Sequence, residues 1–181
     1  MEFATTENQN MIAQAVRDLC ERELRPYVMQ WDEEQHMPID LFKNHFGPAG
    51  MLGVLVPEEY GGAGLGYFEY VSTIIEVARI CGSVGLSVAA HNSLCTGHIL
   101  AFGNEEQKRR WLPKLAAGQW LGAWALTEPN TGSDAMRMKC TARKEGNEWV
   151  LNGTKCWITH GKSSDLVVAI VRTDELLDSH G

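Results

Sequence analysis

Two short runs of the sequence carry side chains whose types and spacing could bind a ligand. The first extends from Trp124 to Asp134 and reads as a strand that stops at a proline, followed by a turn of small, hydrogen-bonding residues. The second, Trp157 to Gly161, places a hydroxyl two residues after an aromatic ring and ends on a glycine. An aromatic wall beside a turn rich in hydroxyl and amide donors suits a flat ring with a phosphorylated tail. The two runs together predict a flavin site.

A flavin needs a wall for its ring face, partners for its ring edge and donors for its pyrophosphate, and the two runs can supply all of them. Backbone groups around Leu126 and the hydroxyl of Thr127 come at the predicted strand end, where they can bind the ring edge. The turn 131–133 offers donors for phosphate oxygens. Trp157 can form the wall, and Thr159 can donate near the reactive edge. The candidate cofactor-binding residues are Trp124, Ala125, Leu126, Thr127, Glu128, Pro129, Asn130, Thr131, Gly132, Ser133, Trp157, Ile158 and Thr159.

Each run also has an ordinary structural interpretation. A turn built from proline, asparagine, threonine, glycine and serine is most often only a turn, and a lone strand tryptophan most often packs in a core. For Glu128 we favour a structural role at the strand end, and Asp134 has a turn or capping role as its alternative. His91 and His98 fall in an apolar helix, where core or lining histidines are more common than acid–base catalysts.

The composition is that of a globular chain and argues against a nucleic-acid partner. The 181 residues carry a formal net charge of −7, whereas binding a phosphate backbone requires a basic surface. The five cysteines are scattered and not in CxxC pairs, which is typical of reduced thiols in a core rather than of a metal or redox site. The acidic, polar start predicts no targeting segment, and no apolar run is long enough to span a membrane.

The elements that must position these runs change type after Gly118. Capping signals at Thr6 and Asn104 and apolar residues at helical spacing predict helices before it, and a Gly146-Asn147 turn predicts a hairpin after it. The sequence therefore predicts an α+β protein with a helical domain at 1–118 and a β-domain at 119–181. Predicted helices follow Thr6, start at Pro38 and follow Asn104. Another is amphipathic, with an apolar stripe that should face the core and comprises Phe68, Val71, Ile75 and Ala78. The helix at 83–102 is apolar nearly all round, so it should be buried on most sides. The predicted strands are 120–126, 139–145, 148–151, 155–159 and 166–172.

The β-domain is expected to be incomplete. The strands after Gly118 are too few to close a barrel or a sandwich, and an open unit would expose an edge and an apolar face. We therefore expect a fragment of a longer protein that ends within an antiparallel β-domain.

Several landmarks make the sequence resemble the acyl-CoA dehydrogenases over essentially its whole length. Asn130 and Thr131 replace the family's more usual small pair, and His160 stands where asparagine is common. The landmarks are Pro57–Gly62, Gly103–Lys108 continuing through Leu112–Ala116, Leu126–Pro129 with Gly132–Asp134, and Leu151–Lys155 leading into Trp157–Thr159.

The resemblance implies an FAD enzyme with an N-terminal helical domain, a middle β-domain and a C-terminal helical domain, the last of which is absent here. Such enzymes oxidise the Cα–Cβ bond of an acyl-CoA thioester in fatty acid or amino acid catabolism, work as homotetramers and pass electrons to an electron-transferring flavoprotein. A glutamate removes the α-proton while a hydride passes from Cβ to flavin N5. That glutamate is expected beyond Gly181, so we assign no catalytic residue here and expect this fragment alone to be inactive.

The resemblance also implies roles for individual residues. Thr127 would contact the flavin ring, Trp157 would pack on it, and Thr159 would bond near N5. Ser133 would lie at the phosphate region and also near the CoA chain. Ser179 looks like the serine that meets the CoA phosphates, so Ser133 and Ser179 are the substrate-binding candidates.

Two other functions stay open. A flavin oxidase or monooxygenase would keep the flavin runs but react with oxygen, and a non-catalytic CoA- or partner-binding module would lack the base. The small residues within 89–94 favour a short or branched acyl chain. The family resemblance implies the bacterial cytoplasm, or the mitochondrial matrix if the protein is eukaryotic.

Overall fold

Helices precede the strands, as the sequence predicts. The computed structural model describes residues 4–173 and confirms the α+β class. Its strands are β1 (Gly122–Ala125), β2 (Thr141–Glu145), β3 (Glu148–Asn152) and β4 (Leu166–Ala169). Its helices are α1 (Glu7–Glu23), α2 (Val28–Glu33), α3 (Ile39–Leu41), α4 (Tyr67–Ala78), α5 (Gly82–Ala89), α6 (Gly97–Phe102) and α7 (Glu105–Ala116), with π-helical turns at Phe42–Phe46 and Ala90–Thr96 and 3₁₀ turns at Arg25–Tyr27, Glu58–Tyr60 and Ala135–Arg137.

Both predicted helix caps are present. At α1, the side chain of Thr6 accepts from the backbone N–H of Gln9 over 3.2 Å, and the Gln9 side chain accepts from the Thr6 N–H over 3.0 Å. Asn104 and Gln107 make the same reciprocal pair at α7, with both bonds at 2.9 Å. Each cap satisfies donors that the first helical turn leaves unpaired, which stabilises a helix by about 1 kcal/mol.

Helices α1 and α4 pack side by side around a buried carboxylate. The side chain of Glu76 is 8% exposed and accepts from Nη2 and Nε of Arg17 over 2.8 and 2.9 Å. Nη1 of Arg79 donates to it over 2.8 Å. The bidentate pair supplies the charge compensation that a buried carboxylate requires, so it fixes the register of the two helices.

The face that α4 buries differs from the one its apolar spacing predicts. Phe68, Val71 and Ile75 are exposed by 78%, 49% and 52%, so the prediction that this stripe faces the core is wrong. The buried positions include Thr73 and Val77. Thr73 can turn inward because its hydroxyl donates to the backbone carbonyl of the preceding helical turn over 2.9 Å.

The helical segment that runs from α5 through a π-helical turn into α6 forms much of the core. Asn92, which is fully buried in that turn, donates to the carbonyl of Met51 over 2.9 Å and accepts from the N–H of Val54 over 3.2 Å. Its amide therefore ties the 51–56 segment to the helix. Leu86 and Phe102 are 61% and 82% exposed, so the segment is buried on fewer sides than its apolar sequence predicts.

No helix of the described residues is both long enough and apolar enough to cross a lipid bilayer.

Two clusters of buried side chains hold the helical part together. One cluster comprises Val16, Cys20, Leu24, Leu41, Phe42, Phe46, Met51, Leu52, Val77, Val84, Val88 and Leu121, and the other comprises Val56, Tyr60, Cys95, Ile99, Leu112, Leu115 and Ala116.

The strands form two small sheets in the described range. β2 and β3 form the predicted antiparallel hairpin, with Gly146 at φ +62° in its turn, whereas β1 pairs with β4 in parallel. The described β-structure is therefore mixed rather than wholly antiparallel. The predicted strand at 155–159 is wrong, because Trp157 and His160 adopt φ values of +57° and +63° and the segment forms a turn.

Candidate functional site

The two residues just before the second run bond directly to the first run. The backbone N–H of Cys156 donates to the carbonyl oxygen of Thr127 over 2.9 Å, just beyond the end of β1. Nζ of Lys155 donates to the carbonyl oxygen of Leu126 and to Oε1 of Glu128, each over 2.9 Å. Lys155 and Cys156, which directly precede the second run, therefore fix three consecutive residues of the first.

The carboxylate of Glu128 is buried and engaged on both oxygens. Its side chain is 5% exposed, and it accepts from the backbone N–H groups of Lys139 and Cys140 over 2.6 and 2.9 Å as well as from Lys155. Burial alone would raise the pKa of this carboxyl, but the bonds from Lys139, Lys155 and Cys140 together hold its pKa below the ordinary value. Glu128 is thus an ionised anchor for the segment before β2.

The turn after Glu128 is closed by backbone bonds. Glu128 and Thr131 exchange N–H···O bonds of 2.8 and 3.2 Å around the exposed pair Pro129 and Asn130. The hydroxyl of Thr131 is used within the turn, since it donates to a carbonyl oxygen of the following 3₁₀ turn over 3.2 Å. Ser133 is exposed and its hydroxyl bonds to no other described residue, so it is the side chain of this turn that can reach an anion.

Trp157 presents an open aromatic surface. Its side chain is 90% exposed, and its backbone is left-handed at φ +57°. A bulky residue in this conformation is uncommon and persists where neighbouring contacts impose it. The preceding bond from Cys156 to Thr127 supplies such a contact. The backbone at Trp157 is therefore held by its neighbours, while the indole itself is open and can be covered by a planar ligand.

Threonine hydroxyls lie on both sides of the junction, that is, the place where Cys156 bonds to Thr127. Thr127 and Thr159 are half-buried, and within the described part of the chain neither hydroxyl makes a hydrogen bond. Thr159 lines a cleft of about 330 Å³ together with Ser83, Ser87 and His160. Two hydroxyls that are free to bind a ligand edge therefore accompany the indole.

Trp124 contributes a polar atom without a partner. Its indole Nε1 is buried and makes no hydrogen bond to any residue from 4 to 173. The ring is tilted against the imidazole of His98, with 5.4 Å between ring centroids. Because buried donors are nearly always paired, this N–H indicates a partner that the protein chain itself does not provide in the described range.

The structure adds Lys155 and His160 to the site, which sequence reasoning missed. The side chain of Lys155 is 12% exposed and His160 is 8% exposed, and both bond to the β1 segment. Their partners lie 27 to 38 positions away in sequence. No local pattern signals such distant bonds.

The remaining candidates are placed as follows. Ala125 is buried in β1, and Leu126, Gly132 and Ile158 are half-buried. Asp134 pairs with Arg137 over 3.1 Å at the surface. Ser179 lies outside the described residues. Among residues 4–173, no group of three or more side chains could hold a metal ion.

Family models match both parts of the chain. Residues 6–119 match the model of the acyl-CoA dehydrogenase N-terminal domain, and residues 123–181 match that of the acyl-CoA dehydrogenase middle domain. Every residue of both runs falls within the second match.

Curated relatives show the same similarity. The mitochondrial short-chain specific acyl-CoA dehydrogenase of Homo sapiens is 43% identical over 175 residues, which cover 97% of this chain and 42% of that protein. The mitochondrial isovaleryl-CoA dehydrogenase of Pongo abelii is 41% identical over 170 residues, which cover 93% of this chain and 40% of that protein. The chain thus spans less than half the length of these relatives.

Solved structures resemble the fold closely. A chain from the structure of the electron transferring flavoprotein of Acidaminococcus fermentans superposes with a TM-score of 0.93 at 38% identity, covering 96% of this chain and 46% of that one. A glutaryl-CoA dehydrogenase from Mycobacterium smegmatis, in complex with FADH2, superposes with a TM-score of 0.89 at 37% identity, covering 94% of this chain and 44% of that one.

Proposed function

The chain belongs to the acyl-CoA dehydrogenase family, and we propose on that premise that it forms the FAD-binding part of an enzyme that oxidises an acyl-CoA thioester to the 2,3-enoyl-CoA. One observation carries the proposal: the bond between Cys156 and Thr127 ties the residue that precedes the exposed Trp157 to the extension of β1. The similar glutaryl-CoA dehydrogenase structure holds FADH2, which supports this choice of cofactor.

The residues at this junction fit FAD. Trp157 offers a flat apolar face for the isoalloxazine ring, and Thr127 and Thr159 offer hydroxyls for its edge. Ser133 offers an exposed hydroxyl for the pyrophosphate region, and the buried N–H of Trp124 lacks a described partner. An open indole and unpaired donors are the groups that a flavin ring and its phosphorylated tail would cover and pair.

FAD would supply the acceptor for the hydride that leaves Cβ of the acyl group. Around it, Trp157 would keep water from one ring face, and the hydroxyl of Thr159 would donate near the reactive edge. Ser133 would hold the phosphate region and orient the CoA chain nearby. The acyl group loses an α-proton to a base and a hydride from Cβ, so that a Cα–Cβ double bond forms and the charges balance.

Glu128 is not the base that removes the α-proton. Both of its oxygens accept strong bonds, and Lys155 neutralises its charge, so the carboxylate serves the fold. On the family resemblance, we propose that the base is a glutamate beyond Gly181. The α-proton transfer would then require sequence beyond residue 181, and residues 1–181 alone would be inactive.

The acyl group is proposed to be short or branched. The matched relatives named above act, by their names, on short-chain acyl-CoA and isovaleryl-CoA. The cleft beside Thr159 is small and is lined in part by Ser83 and Ser87, in keeping with a compact acyl group. Ser179 is retained as a second CoA contact on the family resemblance alone.

The proposed assembly and setting follow the family. We propose a homotetramer that passes electrons to an electron-transferring flavoprotein, in the bacterial cytoplasm or the mitochondrial matrix. The proposed domains are 1–118 and 119–181, and the family-model matches at 6–119 and 123–181 support a division near Gly118.

Anaerobic titration of the complete gene product with short and branched acyl-CoA thioesters tests the function. We expect the visible flavin band to bleach on addition of substrate, and enoyl-CoA to appear in equal amount. Oxygen consumption without any electron acceptor would instead indicate the flavin oxidase. Flavin-free protein that binds CoA without turnover would indicate the binding module.

A further inference from the structure

Histidine side chains bond to both backbone polar groups of Gly122 in β1. The N–H of Gly122 donates to Nδ1 of His91 over 3.0 Å, and its carbonyl oxygen lies 3.0 Å from Nδ1 of His160. The carbonyls of Leu121 and Ala125 accept from backbone N–H groups in β4 or directly beside it. Because backbone groups alternate along a strand, Gly122 presents its N–H and C=O to the opposite edge of β1. The two imidazoles therefore occupy the place of a neighbouring strand.

These bonds assign one tautomer to each imidazole. Since the Gly122 N–H is a donor, Nδ1 of His91 is the acceptor, and the proton lies on Nε2, which donates to the carbonyl of Leu115 over 3.2 Å. Since the Gly122 carbonyl is an acceptor, Nδ1 of His160 carries the proton. Burial lowers the pKa of His91 to about 4 and also lowers the pKa of His160, so both rings are neutral at neutral pH.

The bond from His160 anchors the far end of the Trp157 segment. Cys156 ties the start of the segment to Thr127, and His160 ties its end to Gly122. Both anchored partners belong to β1 or its immediate extension. Between the anchors lie only Trp157, Ile158 and Thr159, the residues that the proposed function assigns to the flavin ring.

We propose that His160 is a positioning residue: its Nδ1–H bond to Gly122 holds the 157–159 segment in the geometry that lets Trp157 and Thr159 contact the flavin. The ligand's identity rests on the proposed function, whereas the bond itself does not. His91 holds the other polar group of Gly122, so the anchor is also fixed to the π-helical turn that follows α5.

The role requires a hydrogen-bond donor at one position rather than a ring that fills space. His160 also packs edge-on against Phe42, with 5.7 Å between ring centroids, and a space-filling role would rest on that contact. Asparagine separates the two roles, because its amide Nδ2 is at the position of imidazole Nδ1 and it tolerates the left-handed backbone. Glycine also tolerates φ +63° but offers no donor.

The test compares His160→Asn and His160→Gly in the complete gene product by FAD titration and by the visible flavin spectrum. We expect His160→Asn to keep the dissociation constant for FAD within about threefold and to keep the wild-type band shape. His160→Gly should weaken FAD binding by about tenfold or more and shift the band. Wild-type affinity and spectrum in the glycine variant would overturn the proposal, and so would equal loss in both variants.

The imidazole ¹⁵N shifts of the wild-type protein give a measurement that no folding defect can obscure. We expect His160 in the Nδ1–H form and His91 in the Nε2–H form; the Nε2–H form at His160 would overturn the proposal. If the wild-type protein takes up no flavin, the proposed function fails, while the tautomer measurement still decides whether the Gly122 bond exists.

Discussion

The backbone N–H of Cys156 donates to the carbonyl oxygen of Thr127 over 2.9 Å, and this bond joins two parts of the chain that lie far apart in sequence. One partner follows the last strand residues of β1, and the other directly precedes Trp157. A single backbone bond thereby brings the backbone that carries an exposed indole to a strand end with the hydroxyl of Thr127. The bond therefore joins the two segments into one candidate site.

Replacement of Trp157 by alanine should weaken FAD binding without destabilising the fold. The indole is 90% exposed, so its loss removes few contacts within the protein. A ring-stacking contact contributes about 0.5–1.5 kcal/mol in addition to its buried area, so affinity should fall by about tenfold or more. FAD titration measures this, with Trp157→Phe as the variant that keeps a ring. Trp149, 53% exposed on β3, provides the control Trp149→Ala, which should bind FAD normally.

Replacement of Glu128 by glutamine should destabilise the protein. The change removes the charge that Lys155 and two backbone N–H groups share, and it presents an amide N–H to donors. Breaking one partner of a buried ion pair costs about 3–5 kcal/mol. Urea denaturation measures the loss, and Lys155→Met should cause a loss of similar size. A free energy of unfolding equal to that of the wild type would show that the carboxylate does not anchor the turn.

Acid should weaken the fold through His91. Its pKa drops from 6.5 to about 4 on folding, so between these values the unfolded chain binds the proton more readily. Through His91, the free energy of unfolding is therefore at its full value above pH 6.5. It falls by about 1.4 kcal/mol per pH unit as the pH decreases toward 4. The lowered pKa of His160 adds to the loss in the same direction.

Urea denaturation at several pH values between 7 and 5 measures this slope. His91→Asn keeps an acceptor for Gly122 but cannot titrate, so its slope should be shallower than that of the wild type. An identical slope in wild type and His91→Asn would contradict the assignment.

Replacement of Gly122 by alanine should also destabilise the fold. A Cβ at Gly122 would lie 2.5 Å from Sγ and 2.8 Å from Cβ of Cys95, which is too close for unstrained contact. Overpacking of this kind costs about 1–3 kcal/mol. Gly82→Ala is the matched control, since no atom lies within 4 Å of the added methyl group. Thermal denaturation should show a loss for the first variant only, and Cys95→Ala should restore part of it; equal melting temperatures would contradict the contact.

The sequence was informative about helices wherever a local bond sets the boundary. Thr6 with Gln9 and Asn104 with Gln107 form within one turn, so their spacing alone predicts the caps that the structure shows. The buried face of α4 was predicted incorrectly, because its choice depends on a distant partner. Arg17 of α1 pairs with Glu76 across 59 positions, and this pair turns the polar side of α4 inward.

The candidate site was predictable in its composition but not in its geometry. The sequence identifies Trp157 and Thr127 as ligand-binding candidates, and their role in binding stays a prediction. It assigned a strand to 155–159, whereas bonds from Lys155 and His160 to the β1 segment hold these residues in a turn. Such bonds cross 29 and 38 positions, so no local spacing encodes them.

A structure of the complete gene product with FAD tests the central claim most directly. The account predicts the isoalloxazine ring against the indole of Trp157, with the hydroxyl of Thr159 within hydrogen-bond distance of the ring edge and Ser133 at the phosphates. A flavin bound elsewhere, for example in the apolar cleft of about 630 Å³ beside Phe102 and Trp111, would contradict it. So would a purified, folded protein that takes up no FAD at all.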